Sequence, residues 1–224
     1  MRKKSKNVIS YCLITLTGIL IAAAGIMFDQ SPLRMLPLFV SLIISYLQSK
    51  VSRYASLIGG INSLLYAAVY AYYHLYASMV YAVLISCPLQ IITFVRWQKN
   101  RWQGTTRFRS LSWKQRGGIA AGFLLVWAGL FAVLKLIGSD YALFDNTITL
   151  FGILISFLTM FACIEYTVLM IPNSVISTMM YAVMLSEKPE QMTFLIYSVY
   201  CLICQCIAFM NARRAYREQQ GSTD

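Results

Sequence analysis

The chain has 224 residues, 58% of them hydrophobic and 12% charged, with a mean hydropathy of +0.62 and a formal net charge of +11. About a quarter of the residues in a soluble domain are charged, so this chain lacks the ionisable side chains that a water-facing surface needs and reads as an integral membrane protein. The positive charge is not laid out for nucleic acid: it falls in three blocks, Arg2 to Lys6, Arg96 to Arg116 and Arg213 to Arg217, each beside an apolar run, where anionic membrane lipids and the positive-inside rule account for it.

Apolar runs long enough to cross about 30 Å of hydrocarbon fall at 8–28, 35–49, 54–73, 76–97, 118–137, 146–162, 165–185 and 193–211. They define an all-α integral membrane fold with eight transmembrane helices. The first run has the outline of a signal peptide, with Arg2 to Lys6 ahead of it and Ala22-Ala23-Ala24 near its end. Its apolar part is longer than the roughly 7–15 residues of a usual h-region, so it reads as a retained span. The second run is the shortest. The longest loop, 98–117, sets Trp102 and Trp113 among basic residues just after Trp97, which suits an interfacial segment in the head-group layer. Pro88 and Pro172 fall inside spans, where each removes a helix hydrogen bond and marks a kink or hinge.

Charge tests this count, because one missed span would invert every later loop. With eight spans and both termini cytoplasmic, every Lys and Arg faces inward except Arg34, Lys135 and Lys188. The outer side keeps those three with Asp29, Asp140, Asp145, Glu187 and Glu190. The six cysteines lie within apolar runs; Cys201-x-x-Cys204 has no histidine near it and reads as buried thiols, so no metal or other cofactor is expected.

The sequence repeats weakly. Aligning Asn62 with Asn173 places Asn62-Ser63-Leu64-Leu65 on Asn173-Ser174-Val175-Ile176, Tyr70 on Tyr181, and Ser45-Tyr46-Leu47 on Ser156-Phe157-Leu158. After a four-residue slip around His74 and Glu187, where an insertion in a loop is tolerated, Gln90 and Phe94 fall on Gln205 and Phe209. Two three-helix units joined by one extra span lie parallel, a three-plus-one-plus-three plan that places a substrate site between its halves. The expected organisation is therefore a basic N-terminus and accessory span (1–34), a first triplet (35–97), a basic cytoplasmic loop and linker span (98–145), a second triplet (146–211) and a cytoplasmic tail (212–224).

Polar side chains in hydrocarbon face a cavity or a neighbouring helix, since an unpaired one costs several kcal/mol. Asn62, Tyr66 and Tyr70 recur every fourth residue and form one stripe; Tyr166, Leu169, Asn173 and Ser177 share about a third of a helix circumference. Gln90 and Gln205 sit in the third span of each triplet. Amides that donate and accept, beside tyrosine rings, suit a neutral or weakly charged ring compound. The same amides also bond across helices to hold bundles together; the matched placement of both asparagines favours a site. No carboxylate or basic residue lies mid-span, and no G-x-x-x-x-G-K-[ST] loop is present, so facilitated diffusion fits better than ion- or nucleotide-driven pumping.

These residues resemble the PnuC family of bacterial vitamin-precursor transporters over roughly 35–215. The resemblance rests on the repeat plan, on Asn62-Ser63-Leu64-Leu65-Tyr66, Phe94-x-x-Trp97 and Asp145, and on Glu165-Tyr166-x-x-Leu169-x-x-x-Asn173. The family's W-x-x-W-x-x-x-N signature helps hold a nicotinamide moiety; Asn173 matches it, Tyr166 keeps a ring, and Leu169 has none. The resemblance implies a fold similar to the SWEET sugar carriers, residence in the bacterial inner membrane, and facilitative transport of nicotinamide riboside or a related vitamin such as thiamine or riboflavin. The phosphorylated product is then trapped in the cytosol.

Three other readings compete. A substrate-binding subunit of an ATP-driven importer is disfavoured by the internal repeat. An intramembrane enzyme is disfavoured by one histidine and span-end carboxylates. A structural or sensory membrane protein would use the polar stripes only for packing. Small-xxx-small spacing, as from Gly59 to Ser63, serves contacts within one chain as readily as between copies, so a homo-oligomer stays open.

Overall fold

The computed structural model describes residues 2–72, 79–80, 82–103, 105–137 and 142–221. Its helices are α1 (Arg2–Met27), α2 (Pro32–Ser49), α3 (Tyr54–Tyr72), α4 (Cys87–Lys99, entered through a π turn at Ala82–Ser86), α5 (Trp113–Ile137), α6 (Ala142–Met160), α7 (Glu165–Leu185) and α8 (Met192–Gln220). A hairpin of two short strands, β1 (Arg101–Trp102) and β2 (Thr105–Thr106), follows α4. Among the described residues seven helices, all but α4, are long and apolar enough to cross a membrane. The expected fourth span, 76–97, lies partly outside the described residues, as do His74 and Asp140. The π turn precedes Pro88, whose ring displaces the carbonyl one turn back and widens the coil there.

Local chemistry sets the ends of several elements. Ser31 caps α2 by accepting from the Arg34 N–H, with Pro32 in the first helical position. Helix α5 begins at Trp113 rather than at 118, because Ser112 and Gln115 form a capping box: the Gln115 N–H donates to Ser112 Oγ and the Ser112 N–H to Gln115 Oε1. Helix α8 runs on to Gln220, through most of the segment expected as a tail. Asn211 Nδ2 donates to the Ser49 carbonyl at 2.6 Å, Ala212 is fully buried, and Gln219 exchanges hydrogen bonds with Thr106 and Phe108. The basic loop is hydrogen-bonded to the rest of the fold. The Arg109 N–H donates to the Ala162 carbonyl and the Ile164 N–H to the Arg109 carbonyl, which ties the loop to the α6–α7 corner. Glu165 Oε1 adds bonds from the Leu111 N–H, Ser110 Oγ and the Arg116 guanidinium, the last at 2.7 Å.

The helices pack in two groups that touch at both flanks. Helix α3 packs on α2 and α4, and α7 on α6 and α8; between the groups α2 meets α8 and α4 meets α6. Helix α1 lies against α2 and α8, and α5 against α6. The corners α2–α3 and α6–α7 share one backbone design. Val51 (φ 53°) and Ala162 (φ 54°) both adopt the left-handed conformation. The Val51 and Ser52 N–H groups donate back to the Gln48 and Leu47 carbonyls; 111 residues further on, the Ala162 and Cys163 N–H groups donate to Thr159 and Leu158. This is the six-to-one and five-to-two bonding of a Schellman turn, made without glycine in either copy. Both corners, the hairpin and the end of α8 meet at one end of the bundle, the basic end. Gln30, Arg34, Glu190 and Thr193 meet at the other, where Arg34 and Glu190 form an ion pair of 3.8 Å.

Candidate functional site

Helix α3 carries the first polar stripe inward. Asn62 is 5% exposed and its Nδ2 donates to Ser41 Oγ of α2 at 2.9 Å; Ser41 Oγ donates in turn to the Pro37 carbonyl. The Tyr66 ring stacks on Tyr70 with centroids 6.0 Å apart. Asn62 Oδ1 is buried with no partner. Gly59 and Gly60 allow α4 to approach closely: a Cβ on Gly59 would lie 3.2 Å from Gln90 Cδ, and one on Gly60 would lie 3.6 Å from the Cys87 carbonyl.

Helix α7 presents the second stripe. Asn173 is partly buried and its Oδ1, like that of Asn62, is buried and unpartnered. Ser177 donates to the Asn173 backbone carbonyl. The next residue after each asparagine bonds to a neighbouring helix: Ser63 Oγ meets Ser86 Oγ at 2.8 Å, and Ser174 Oγ donates to Gln205 Oε1. Gln205 Nε2 reaches Cys201 Sγ, which also accepts from Ser45 Oγ; Ser45 bonds the Tyr197 hydroxyl at 3.2 Å. This chain joins α7, α8 and α2 through side chains at membrane depth.

Two ends frame these groups. Toward the end that holds Arg34, the Tyr181 ring stacks on Phe194, and the Arg34 guanidinium carbon sits 5.2 Å from the Phe194 centroid. Toward the basic end lies a cavity of about 80 Å3 lined by Gln48, Ser56, Gln90, Thr93, Thr159 and Tyr166. Trp97, Phe108 and Tyr166 pack together beside it with centroids 6.0 to 6.4 Å apart, and Trp97 Nε1 donates to the Thr159 carbonyl at 2.8 Å.

Of the residues expected to form a site, Asn62, Tyr66 and Tyr70 share a face, Gln90 and Tyr166 line the cavity, and Asn173 and Gln205 lie on neighbouring helices. Leu169 stands apart: it packs against the apolar cluster around Tyr166 and lines an outward groove between α5, α6 and α7. Ser41, Tyr197 and Cys201 went unnoticed as site residues. Only Ser41 left a signal, one turn after Pro37, where its hydroxyl covers a carbonyl near the proline. Among the described residues no group of three or more His, Cys, Asp or Glu side chains comes together to hold a metal. The polar groups here are neutral donors and acceptors of the kind that recognise a solute by hydrogen bonds.

A bundle of apolar helices with a lipid-facing exterior and neutral hydrogen-bonding side chains gathered between its two groups defines a multi-pass membrane transporter. The nicotinamide mononucleotide transporter family model matches residues 31–212, and the chain belongs to that family. The crystal structure of the vitamin B3 transporter PnuC is similar to it with a TM-score of 0.74 and 18% sequence identity, covering 94% of this chain and 92% of that one. No curated protein matches the chain by sequence.

Proposed function

We propose that the chain carries a vitamin-like ring compound of the nicotinamide type across the bacterial inner membrane by facilitated diffusion, binding it between α3 and α7. One observation carries the reading: Asn62 Oδ1 and Asn173 Oδ1 are both buried and unpartnered, at matched positions on the central helices of the two groups. Two amide acceptors without donors at membrane depth suit a ligand that brings N–H or O–H groups, as a carboxamide or a ribose does. The neighbouring Tyr66, Tyr70, Gln90, Tyr166, Ser177 and Gln205 supply ring faces and further hydrogen bonds. Nicotinamide riboside leads, in keeping with the vitamin B3 cargo of the structural neighbour and the nicotinamide nucleotide named for the family. Thiamine or riboflavin is the second choice, kept open because Tyr166 carries a phenol ring where the resembled signature has an indole.

The repeat plan supports transport by a single chain. The twin corners at Val51 and Ala162, the matched asparagines and the reciprocal α2–α8 and α4–α6 contacts all fit two parallel triplets related by a twofold axis along the membrane normal. On this reading α1 is an accessory span, α5 the linker, the described part of α4 belongs to an eighth span, and the basic end with both termini faces the cytoplasm. Purified chain in liposomes with no ATP and no ion gradient is the test. Radiolabelled nicotinamide riboside, thiamine and riboflavin are offered in turn, and one of them equilibrates at a rate well above that of protein-free vesicles. Uptake that appears only with an added ATPase module would instead assign the chain as a binding subunit.

A further inference from the structure

Three arginines line one hollow at the basic end, and among the described residues no carboxylate lines it with them. Arg96 leaves the last turn of α4, Arg107 and Arg109 come from the loop after β2, and with Asn100 they line a space of about 270 Å3. Among the described residues the ion pairs are Arg34–Glu190, Arg116–Glu165 and Arg214–Glu218, and none engages these three. Their placement is fixed by the fold. The Phe161 ring holds the Arg96 guanidinium carbon 4.5 Å and that of Arg109 5.3 Å from its centroid, which leaves N–H edges free. The Arg109 backbone is hydrogen-bonded on both sides to the α6–α7 corner, its Nε donates to Cys163 Sγ, and the Arg107 N–H donates to the Asn100 carbonyl at 2.8 Å.

We infer that this hollow is a phosphate-binding site, distinct from the solute site between α3 and α7 and independent of which solute is carried. The ligand is a phosphate group, either on a soluble monoester or in an anionic lipid headgroup; the planar fork of arginine pairs with two phosphate oxygens at once, which a lysine cluster would not do. Asn100 adds an uncharged amide at the rim. A phosphate held by Arg96, Arg107 and Arg109 bridges α4 to the basic loop. Because Phe161 and the Arg109 backbone bind that loop to the α6–α7 corner, occupancy ties three segments together and shows as added stability.

Thermal unfolding of the full chain in a neutral detergent, at fixed ionic strength so that screening stays constant, tests the site with two probes. Glycerol 3-phosphate represents a soluble monoester and dihexanoyl phosphatidylglycerol a headgroup, with sodium chloride as the control. At least one probe raises Tm saturably, by several degrees at about a hundredfold excess over its Kd. Arg96→Gln with Arg109→Gln abolishes the shift, while Arg217→Gln retains it. A response to glycerol 3-phosphate assigns a soluble ligand, and a response to the lipid alone assigns a headgroup. Shifts no larger than the chloride control, or the same shift in the double variant, overturn the site. If the double variant does not fold, Arg107→Gln, an exposed side chain, decides instead: a saturation midpoint raised about fivefold or more is expected, and an unchanged midpoint overturns the site.

Discussion

An amide oxygen at membrane depth with no donor costs roughly 1–3 kcal/mol; among the described residues Asn146, Asn62 and Asn173 carry one, and those of Asn62 and Asn173 lie at matched positions on α3 and α7. The two differ in what else they do. Asn62 also holds Ser41 through its Nδ2, whereas among the described residues the bond made to Asn173 is that of Ser177 Oγ to its backbone carbonyl, which an alanine would keep. Asn173→Ala should therefore abolish solute binding while leaving the Tm of the unliganded protein in detergent unchanged or slightly raised. Asn62→Ala should lose at least about tenfold in affinity and lower Tm as well, because a buried Ser41 loses its donor. Unchanged affinity in Asn173→Ala would remove that residue from the site. Both asparagines stood out in the sequence because amides are scarce inside apolar spans. The links from Ser45 to Tyr197 and from Ser174 to Gln205 did not, since they join residues far apart in the chain and no spacing encodes which helices meet.

At the scale of elements, the twin corners give a sharp contrast between two residues of the same backbone. A non-glycine residue in the left-handed region gives up about 1–2 kcal/mol. Ala162→Gly relieves that strain and sacrifices only one methyl group, so Tm should rise by about 2–4 °C in a thermal melt. Val51 has the same φ but is 4% exposed within the apolar cluster of Trp97 and Tyr166. Val51→Gly empties that position and should lower Tm, since burying a valine contributes about 1.5–3 kcal/mol and a cavity adds to its loss. Seven of the described helices were legible because each is an apolar run of membrane length, whereas α4 is described over only 13 residues. Their ends were less so. The capping box at Ser112 and Gln115 sits in a charged stretch without apolar periodicity, and the extension of α8 depends on Asn211, Ala212 and Gln219 finding partners on α2, the hairpin and the loop. Such partners exist only once the chain has folded.

For the whole molecule, the distribution of basic residues sets the orientation we propose. In intact cells, Lys188→Cys should react with a membrane-impermeant maleimide, and Gly221→Cys only after permeabilisation; the reverse pattern would invert the topology. One feature of the bundle bears on how its sequence is free to vary. No described residue of α5 is buried, and its glycines at 117, 118, 122 and 129 have open space where a side chain would stand. It touches α6 through Phe123 on Phe151, through Trp127 Nε1 on Thr147, and through the fully buried Asn146, which donates to the Trp127 carbonyl. In a saturation-mutagenesis map this helix, from Gly117 to Phe131, should form a band of tolerance, accepting almost any apolar substitution away from Phe123 and Trp127 and rejecting charge, whereas Gln115 and Arg116 keep their partners. With so few partners the segment needs little beyond length and apolar character, and homologous chains should drift faster along it than along either neighbouring helix.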